Sequence, residues 1–270
     1  MRFQRELFAL AAIPVLVGAI VWLPPWVFLA ILAAAILIAC DELLNMARSA
    51  GFVVGKWLPL ALLATVLVLA WTRGPAGLAI AVGIAVIALP TLRLARAESP
   101  DGSLGGVAAE SLAVFYLGVT GACFGWLWLW PGDPERIKFL FFYLVSIWVG
   151  DSGAYYVGRN FGKHKMSPRI SPNKTLEGLA GSILTTYIGA AVAAWVFRLG
   201  IAPIHIFALA TILAASAPLG DLVESQFKRD SGVKDSSGLL PGHGGLLDRT
   251  DSLVYAAPPV LGYLLLTGLL

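Results

Sequence analysis

Residues 201–227 read IAPIHIFALATILAASAPLGDLVESQF, and residues 228–251 continue as KRDSGVKDSSGLLPGHGGLLDRTD. The first stretch is long and apolar enough to cross a bilayer, because a helix needs about 20 such residues to span the hydrocarbon. The second stretch is polar and rich in glycine, and it leads into another apolar run. This order predicts a membrane-spanning helix that ends in a polar loop.

The composition agrees with a chain whose surface largely faces lipid. Of the 270 residues, 58% are hydrophobic and only 13% are charged, against about 25% in an ordinary soluble domain. The formal net charge of +3 is too small to indicate a nucleic-acid partner. Cys40 and Cys123 lie inside apolar runs, so we interpret both as small hydrophobic side chains rather than as a disulfide or metal pair.

Apolar runs of this kind recur along the chain and predict an all-α, polytopic transmembrane protein of about nine spans. The N-terminal run is expected to be retained as a span rather than cleaved as a signal. Region 57–92 forms either two short spans or one span with a re-entrant piece. We divide the chain into N-terminal transmembrane helices at 1–106 and a C-terminal region at 107–270 that carries the polar motifs. The predicted spans are 6–23, 26–43, 57–72, 76–92, 107–130, 138–158, 175–197, 201–227 and 249–269.

The basic residues predict the orientation in the membrane. Nine spans put the two termini on opposite sides, and a cytoplasmic N-terminus places 15 of the 19 Lys and Arg residues inside. Cytoplasmic loops normally carry this excess. The loops at 159–174 and 228–248 are therefore expected on the cytoplasmic face of the cell inner membrane. Four basic residues fall outside: Arg73, Arg136, Lys138 and Arg198.

Carboxylates interrupt two of the apolar runs, where ionisable groups are costly and usually functional. Asp151 and Asp221 are these residues, although either could instead make a structural polar contact between helices. Helical spacing from Asp221 predicts one polar stripe on a single face. Carboxylate oxygens that lead into basic groups are typical of a hard cation such as Mg²⁺ beside an anion. The other members of the stripe are Glu224, Ser225, Lys228 and Arg229.

Asp248 and Asp251 are three residues apart at the start of the last run, so both can point the same way. Asp248 could simply cap the helix, whereas the second carboxylate, with Asp221 at the same membrane depth, favours a metal site. The glycine-rich segment before Asp248 could turn N–H groups toward an anion or merely form a hairpin. The five basic residues of loop 159–174 fit either a topology anchor for anionic headgroups or a phosphate site.

Residues 225–251 resemble the hallmark motif of the phosphatidate cytidylyltransferase family, also called CDP-diacylglycerol synthases. Upstream, the Ser-Pro-x-Lys-Thr-x-Glu-Gly element at 171–178 resembles a second stretch of the family, with Gly150 and Leu176 where the pattern has Asn and Trp. The resemblance covers roughly 140–270. The hallmark positions match without a gap: Ser225, Lys228, Arg229, Lys234, Asp235, His243, Gly244, Gly245, Asp248, Arg249 and Asp251.

The resemblance implies transfer of CMP from CTP to phosphatidate, giving CDP-diacylglycerol and pyrophosphate. The lipid phosphate is already an anion, so the barrier is mainly positional and electrostatic. Asp221 and Asp248 are expected to hold Mg²⁺, with Asp251 and Asp151 near it or near a second cation. We expect the catalytic and substrate-binding groups to include Lys228, Arg229, Lys234, Asp235, Arg249, Ser225, His243, Gly244, Gly245, Ser171, Lys174 and Thr175.

Two other functions remain open from the residues alone. A transporter for phosphate or an anionic metabolite would also need intramembrane acids and basic mouths, although no internal repeat is visible. Another lipid-linked transferase that consumes CDP-diacylglycerol would need a different series of carboxylates, which the sequence lacks. The expected partners are CTP, phosphatidate and the bilayer, and a homodimer is left open.

Overall fold

The computed structural model describes residues 14–15, 17–96, 101–129, 135–240 and 244–269. Most of them are helical, which confirms the predicted all-α polytopic fold. A helix satisfies its backbone hydrogen bonds internally, as hydrocarbon requires. The helices are α1 (Pro25–Ser49), α2 (Trp57–Arg96), α3 (Ser103–Leu129), α4 (Glu135–Phe161), α5 (Leu176–Val196), α6 (Pro203–Asp230) and α7 (Leu247–Thr267).

Within these ranges, six helices are long and apolar enough to cross a membrane, namely α1 to α6. The last predicted span falls on α7, whose first two turns carry Asp248, Arg249 and Asp251. Half of the predicted span at 6–23 lies outside the described residues, and residues 14–15 and 17–22 of the other half are helical. The total of nine spans and the cytoplasmic N-terminus therefore remain predictions.

Helix α2 is broken in its middle at Gly74. Gly74 has φ 65° and ψ −151°, a conformation that glycine adopts without steric cost, and a proline follows it. Leu62 and Val66 before the break pack with Ala81 and Ala85 after it in one buried cluster. The two arms thus lie against each other, and the choice between two short spans and one span with a re-entrant piece stays a prediction.

The described chain divides into two compact units. Unit 1 runs to Gly125 and includes Phe227–Thr250, and unit 2 consists of Trp126–Gln226 with the residues from Asp251 onward. Helices α6 and α7 each contribute residues to both units. The proposed division of the sequence at residue 106 stays a prediction.

The core of unit 1 is built on α1. Cys40 and Leu44 of this helix are fully buried and pack with Leu67 of α2, Leu117 of α3 and Leu247 at the start of α7. Cys40 and Cys123 are both free and buried, which confirms their interpretation as small hydrophobic side chains. This packing brings the start of α7 against the C-terminal half of α1.

In unit 2, α4 and α5 pack closely along a line of small residues. A Cβ on Gly189 would lie 2.9 Å from Val149 Cβ, and a Cβ on Gly181 would lie 2.6 Å from Val157 Cβ. A Cβ on Gly150 would lie 2.3 Å from Thr186 Oγ1, so a larger residue there would displace the Thr186 side chain. Close approach of helices through small residues is the usual way to pack without a hydrophobic driving force in lipid.

A short β-hairpin precedes α5, and the sequence did not predict it. Strands β1 (Lys165–Ser167) and β2 (Ser171–Thr175) pair antiparallel, with Lys165 opposite Thr175. Thr175 then caps α5, because its Oγ1 accepts a hydrogen bond from the Gly178 amide at 3.1 Å. The hairpin and cap fix where the basic loop re-enters the helical part of unit 2.

Candidate functional site

Unit 2 contains a cluster of three carboxylates, which we name the carboxylate triad: Asp221, Glu224 and Asp251. One ligand atom from each lies within 4.8 Å of the others. Glu224 and Asp251 are buried, and Asp221 is partly exposed. Asp221 and Glu224 share a face of α6 because they are three residues apart.

Helices α6 and α7 approach closely at the triad because residue 220 is glycine. A Cβ there would lie 2.6 Å from Tyr255 Cβ and 2.9 Å from the Asp251 carbonyl oxygen. Any side chain would push the two helices apart and separate Asp251 from Asp221. The small residue immediately before Asp221 is therefore part of what assembles the triad.

Lys174 reaches the triad from the end of β2. Its Nζ lies 2.6 Å from Asp221 Oδ2, and Ser225 Oγ donates to Asp221 Oδ1 at 3.3 Å. The basic side chain comes from the predicted Ser-Pro-x-Lys-Thr element, one residue before the Thr175 cap. Lys174, which was predicted to bind phosphate, therefore contacts Asp221, which was predicted to bind the metal ion.

Glu177 secures the base of the hairpin that carries Lys174. Its carboxylate accepts hydrogen bonds from the Lys163 amide at 3.0 Å and the His164 amide at 3.2 Å. Its Oε1 also lies 2.6 Å from His164 Nδ1. The acid of the Ser-Pro-x-Lys-Thr-x-Glu element therefore anchors the loop rather than facing the triad.

Asp248 is the centre of a second group, in unit 1. Its Oδ1 lies 2.5 Å from Lys228 Nζ, and its Oδ2 accepts from the Ser236 amide and hydroxyl and from the Gly245 amide, at 2.8 to 2.9 Å. Burial alone would raise the pKa of Asp248, but these hydrogen bonds outweigh it and lower the pKa from 3.8 to about 2. Both side chains of the ion pair are at most 10% exposed.

Glu42 of α1, which the sequence did not single out, completes this group. Its carboxylate accepts from the hydroxyls of Ser236 and Ser237 at 3.0 and 2.6 Å. It also accepts from the amides of Leu246 and Leu247 at 3.0 and 2.8 Å. Glu42 is only 4% exposed.

The two adjacent glycines of the hallmark motif are each required for a different structural reason. Gly244 has φ +77°, and a Cβ on it would lie 2.5 Å from Asp248 Oδ2. A Cβ on Gly245 would lie 2.5 Å from both carboxylate oxygens of Glu42. No side chain fits at either position without displacing a carboxylate.

The other predicted residues are distributed around these two groups. Four predicted binding residues of unit 1 are exposed at or near its polar loop, and Arg229 also donates to the Val233 carbonyl oxygen at 3.3 Å. Asp151 is exposed on α4, and Ser171 begins β2. His243 lies outside the described residues. The four exposed residues are Arg229, Lys234, Asp235 and Arg249.

Comparison with known proteins identifies the family of this chain. The profile of the cytidylyltransferase family matches residues 3–267, nearly the whole chain. The chain belongs to the cytidylyltransferase family.

Individual relatives match this chain over a shorter length. It is 43% identical over 149 residues to a phosphatidate cytidylyltransferase of Bacillus subtilis, covering 55% of this chain and 54% of that protein. It is 47% identical over 137 residues to one of Haemophilus influenzae, covering 47% of this chain and 46% of that protein. The chain thus spans about half the length of the curated relatives it matches.

The sequence did not identify two carboxylates of these groups as site residues. Glu224 was recognised in the polar stripe three residues after Asp221, and that spacing was already the signal for a shared ligand set. Glu42 follows Asp41 at the end of a predicted span, so the rule that ionisable groups in spans are functional would also have found it.

Proposed function

We propose that this chain transfers the cytidylyl group of CTP to phosphatidate, releasing pyrophosphate and forming CDP-diacylglycerol. The carboxylate triad carries the proposal, because three acids gathered beside a lysine suit a nucleotide-bound cation. The names of the half-length relatives support the same substrates. The hallmark motif supports it further, since it contributes residues both to the triad and to the Asp248 group.

The proposed cation is Mg²⁺, held by Asp221, Glu224 and Asp251. Hard cations prefer carboxylate oxygens, and Mg²⁺ usually takes one or two carboxylates together with substrate phosphates. The ion would neutralise charge on the CTP phosphates and polarise the α-phosphate. The metal roles predicted for Asp248 and Asp151, and a second cation, stay predictions.

In the proposed reaction, a phosphatidate oxygen attacks the α-phosphorus of CTP and the bond to the β-phosphate breaks. Lys228 is buried and held on Asp248, so it is a fixed charge that can orient one phosphate group. Arg229, Lys234 and Arg249 are exposed, which leaves their side chains accessible to incoming phosphates. Positioning and fixed charge are the main sources of catalysis in this class of reaction.

Lys174 forms an ion pair with Asp221 in the structure. We propose that its ammonium moves to a phosphate group when substrate binds. An ammonium is a compact charge on a flexible stem, which suits such an exchange. Asp221 would then be available to the cation when the nucleotide arrives. The basic loop would face the cytoplasm, as the distribution of Lys and Arg indicates.

The test is transfer of label by purified protein in mixed micelles. CTP labelled in the cytidine should deliver label to the organic phase only when phosphatidate and Mg²⁺ are both present. Label that stays in the aqueous phase, in protein that remains folded, would refute the enzyme and leave the transporter as the better reading.

The metal assignment has its own readout, which does not depend on turnover. Mn²⁺ binding measured by electron paramagnetic resonance should weaken at least tenfold in Glu224→Gln and in Asp251→Asn. Glu135→Gln, an exposed acid paired with Lys138 at the start of α4, is the control and should bind like wild type. Unchanged binding in both triad variants, with loss in Asp248→Asn, would move the ion to Asp248.

A further inference from the structure

Glu42 is a buried carboxylate, and the four donors that contact it among the described residues all lie far along the chain. The two hydroxyls and two amides that it accepts from lie between Ser236 and Leu247, up to 205 residues along the chain. A buried charge is costly unless it is fully hydrogen-bonded. The carboxylate therefore favours the arrangement that brings these two hydroxyls and two amides to it together.

The same segment also supplies donors to Asp248. The Gly245 amide points to Asp248, whereas the next two amides point to Glu42. These are the N–H groups at the beginning of α7, which have no partner inside the helix. Asp248 therefore accepts the first of these three amides, and Glu42 accepts the other two. The hydrogen bonds to Glu42 limit how far Leu246 and Leu247 can move toward Asp248.

Ser236 links the two acids directly. Its hydroxyl oxygen lies 3.0 Å from Glu42 Oε2 and 2.8 Å from Asp248 Oδ2. A hydroxyl has one proton and can donate to one acid at a time. The Ser236 amide, at 2.9 Å, donates to Asp248 in either case, so the position of Ser236 sets the position of the Asp248 carboxylate.

We propose that Glu42 is a positioning residue for the transfer reaction. It fixes Ser236, Ser237 and the amides of Leu246 and Leu247, and thereby holds Asp248 where that carboxylate fixes the Lys228 ammonium. This rests on the proposed function for the role of Lys228 toward phosphate. Glu42 itself touches no substrate in this account. The first helices of the chain are then part of the catalytic apparatus and not only membrane anchors.

The decisive variant is Glu42→Gln, which keeps the shape but replaces one acceptor oxygen with a donor. The matched control is Asp41→Asn, the neighbouring acid, which makes a more exposed ion pair with Lys56 at 2.9 Å. Hydrogen–deuterium exchange without substrates is measured over residues 244–248. Exchange should accelerate at least tenfold in Glu42→Gln and remain unchanged in Asp41→Asn.

Activity gives the second readout. A misplacement of about 1 Å costs on the order of a hundredfold in rate, so kcat/KM for CTP should fall about 100-fold in Glu42→Gln. The Mn²⁺ affinity of the carboxylate triad should stay within twofold of wild type, because only the Asp248 group is disturbed. A general loss of structure would weaken Mn²⁺ binding and lower the melting temperature together, and Ser236→Ala then decides the proposal.

Two further outcomes are decisive. Wild-type exchange and wild-type kcat/KM in Glu42→Gln would overturn the proposal. If Glu42→Gln does not fold, Ser236→Ala must lower kcat/KM at least tenfold while Mn²⁺ affinity stays within twofold of wild type, and full activity there would overturn the proposal. If wild type itself transfers no label, the proposed function fails, whereas the exchange experiment still decides whether Glu42 fixes the segment.

Discussion

Acidification should destabilise this protein through Asp248, and the size of the effect follows from its contacts. The hydrogen bonds from Lys228, Ser236 and Gly245 keep the pKa of Asp248 at about 2 in the folded state, against an ordinary value of 3.8. A pKa that is lower in the folded state contributes stability above the unfolded value. That contribution is lost as the pH falls from about 4 through 2.

The magnitude is about 2 kcal/mol, since one pH unit corresponds to about 1.36 kcal/mol. Little of it is lost to solvent screening, because the Asp248 side chain is only 6% exposed. For a chain of this size, this amounts to a change of roughly 4–8 °C in melting temperature.

The measurement compares wild type with Asp248→Asn, which lacks the titrating group, in detergent micelles containing EDTA. At pH 6.5 the variant should melt below wild type, because it loses an acceptor for Lys228. As the pH falls to 2.5, the difference between the two melting temperatures should shrink by most of the predicted 4–8 °C. A difference that stays constant from pH 6.5 to pH 2.5 would refute the assignment of these hydrogen bonds to an ionised Asp248.

Three further predictions use single substitutions. Gly245→Ala should lower stability by about 1–3 kcal/mol, because its Cβ would overlap the Glu42 carboxylate. Gly238→Ala has nothing within 4 Å of its Cβ and should melt like wild type. Lys174→Met should bind Mn²⁺ more tightly than wild type without substrates, since an ammonium no longer occupies the triad; weaker binding in paramagnetic resonance would contradict this. Asn173 is exposed in strand β2 of the hairpin, so Asn173→Cys should react with an impermeant maleimide in inverted vesicles only. Reaction in right-side-out vesicles would reverse the topology.

The helical fold was predictable because lipid leaves the sequence few choices. Long apolar runs must become helices that satisfy their own backbone, so the extents of α1, α3 and α4 agree with the predicted spans to within several residues. The β-hairpin was not predictable, because its strands are three and five residues long and polar, with no alternation to detect. Its position depends on the Glu177 anchor and the Thr175 cap, which act across a loop.

The candidate site was predictable where its members share one helix. Helical spacing from Asp221 placed Glu224, Ser225 and Lys228 on one face without any structure. Helical spacing could not predict which groups Asp248 and Asp251 would each contact. Asp248 and Asp251 are only three residues apart, yet Asp251 joins the carboxylate triad and Asp248 accepts the Lys228 ammonium and three further hydrogen bonds.

The hallmark motif describes only one side of the contact that shapes it. Gly245 must lack a side chain because the oxygens of Glu42 fill the space where its Cβ would lie. That carboxylate belongs to α1, which lies outside the part of the chain that resembles the family motifs. The motif residues therefore form the loop, but the acid that holds the loop in place, Glu42, lies outside the motif. A local sequence pattern cannot show this contact, because the two partners are about 200 residues apart. It follows that exchanging α1 for an apolar helix of equal length should disorder the start of α7 even though every motif residue is retained.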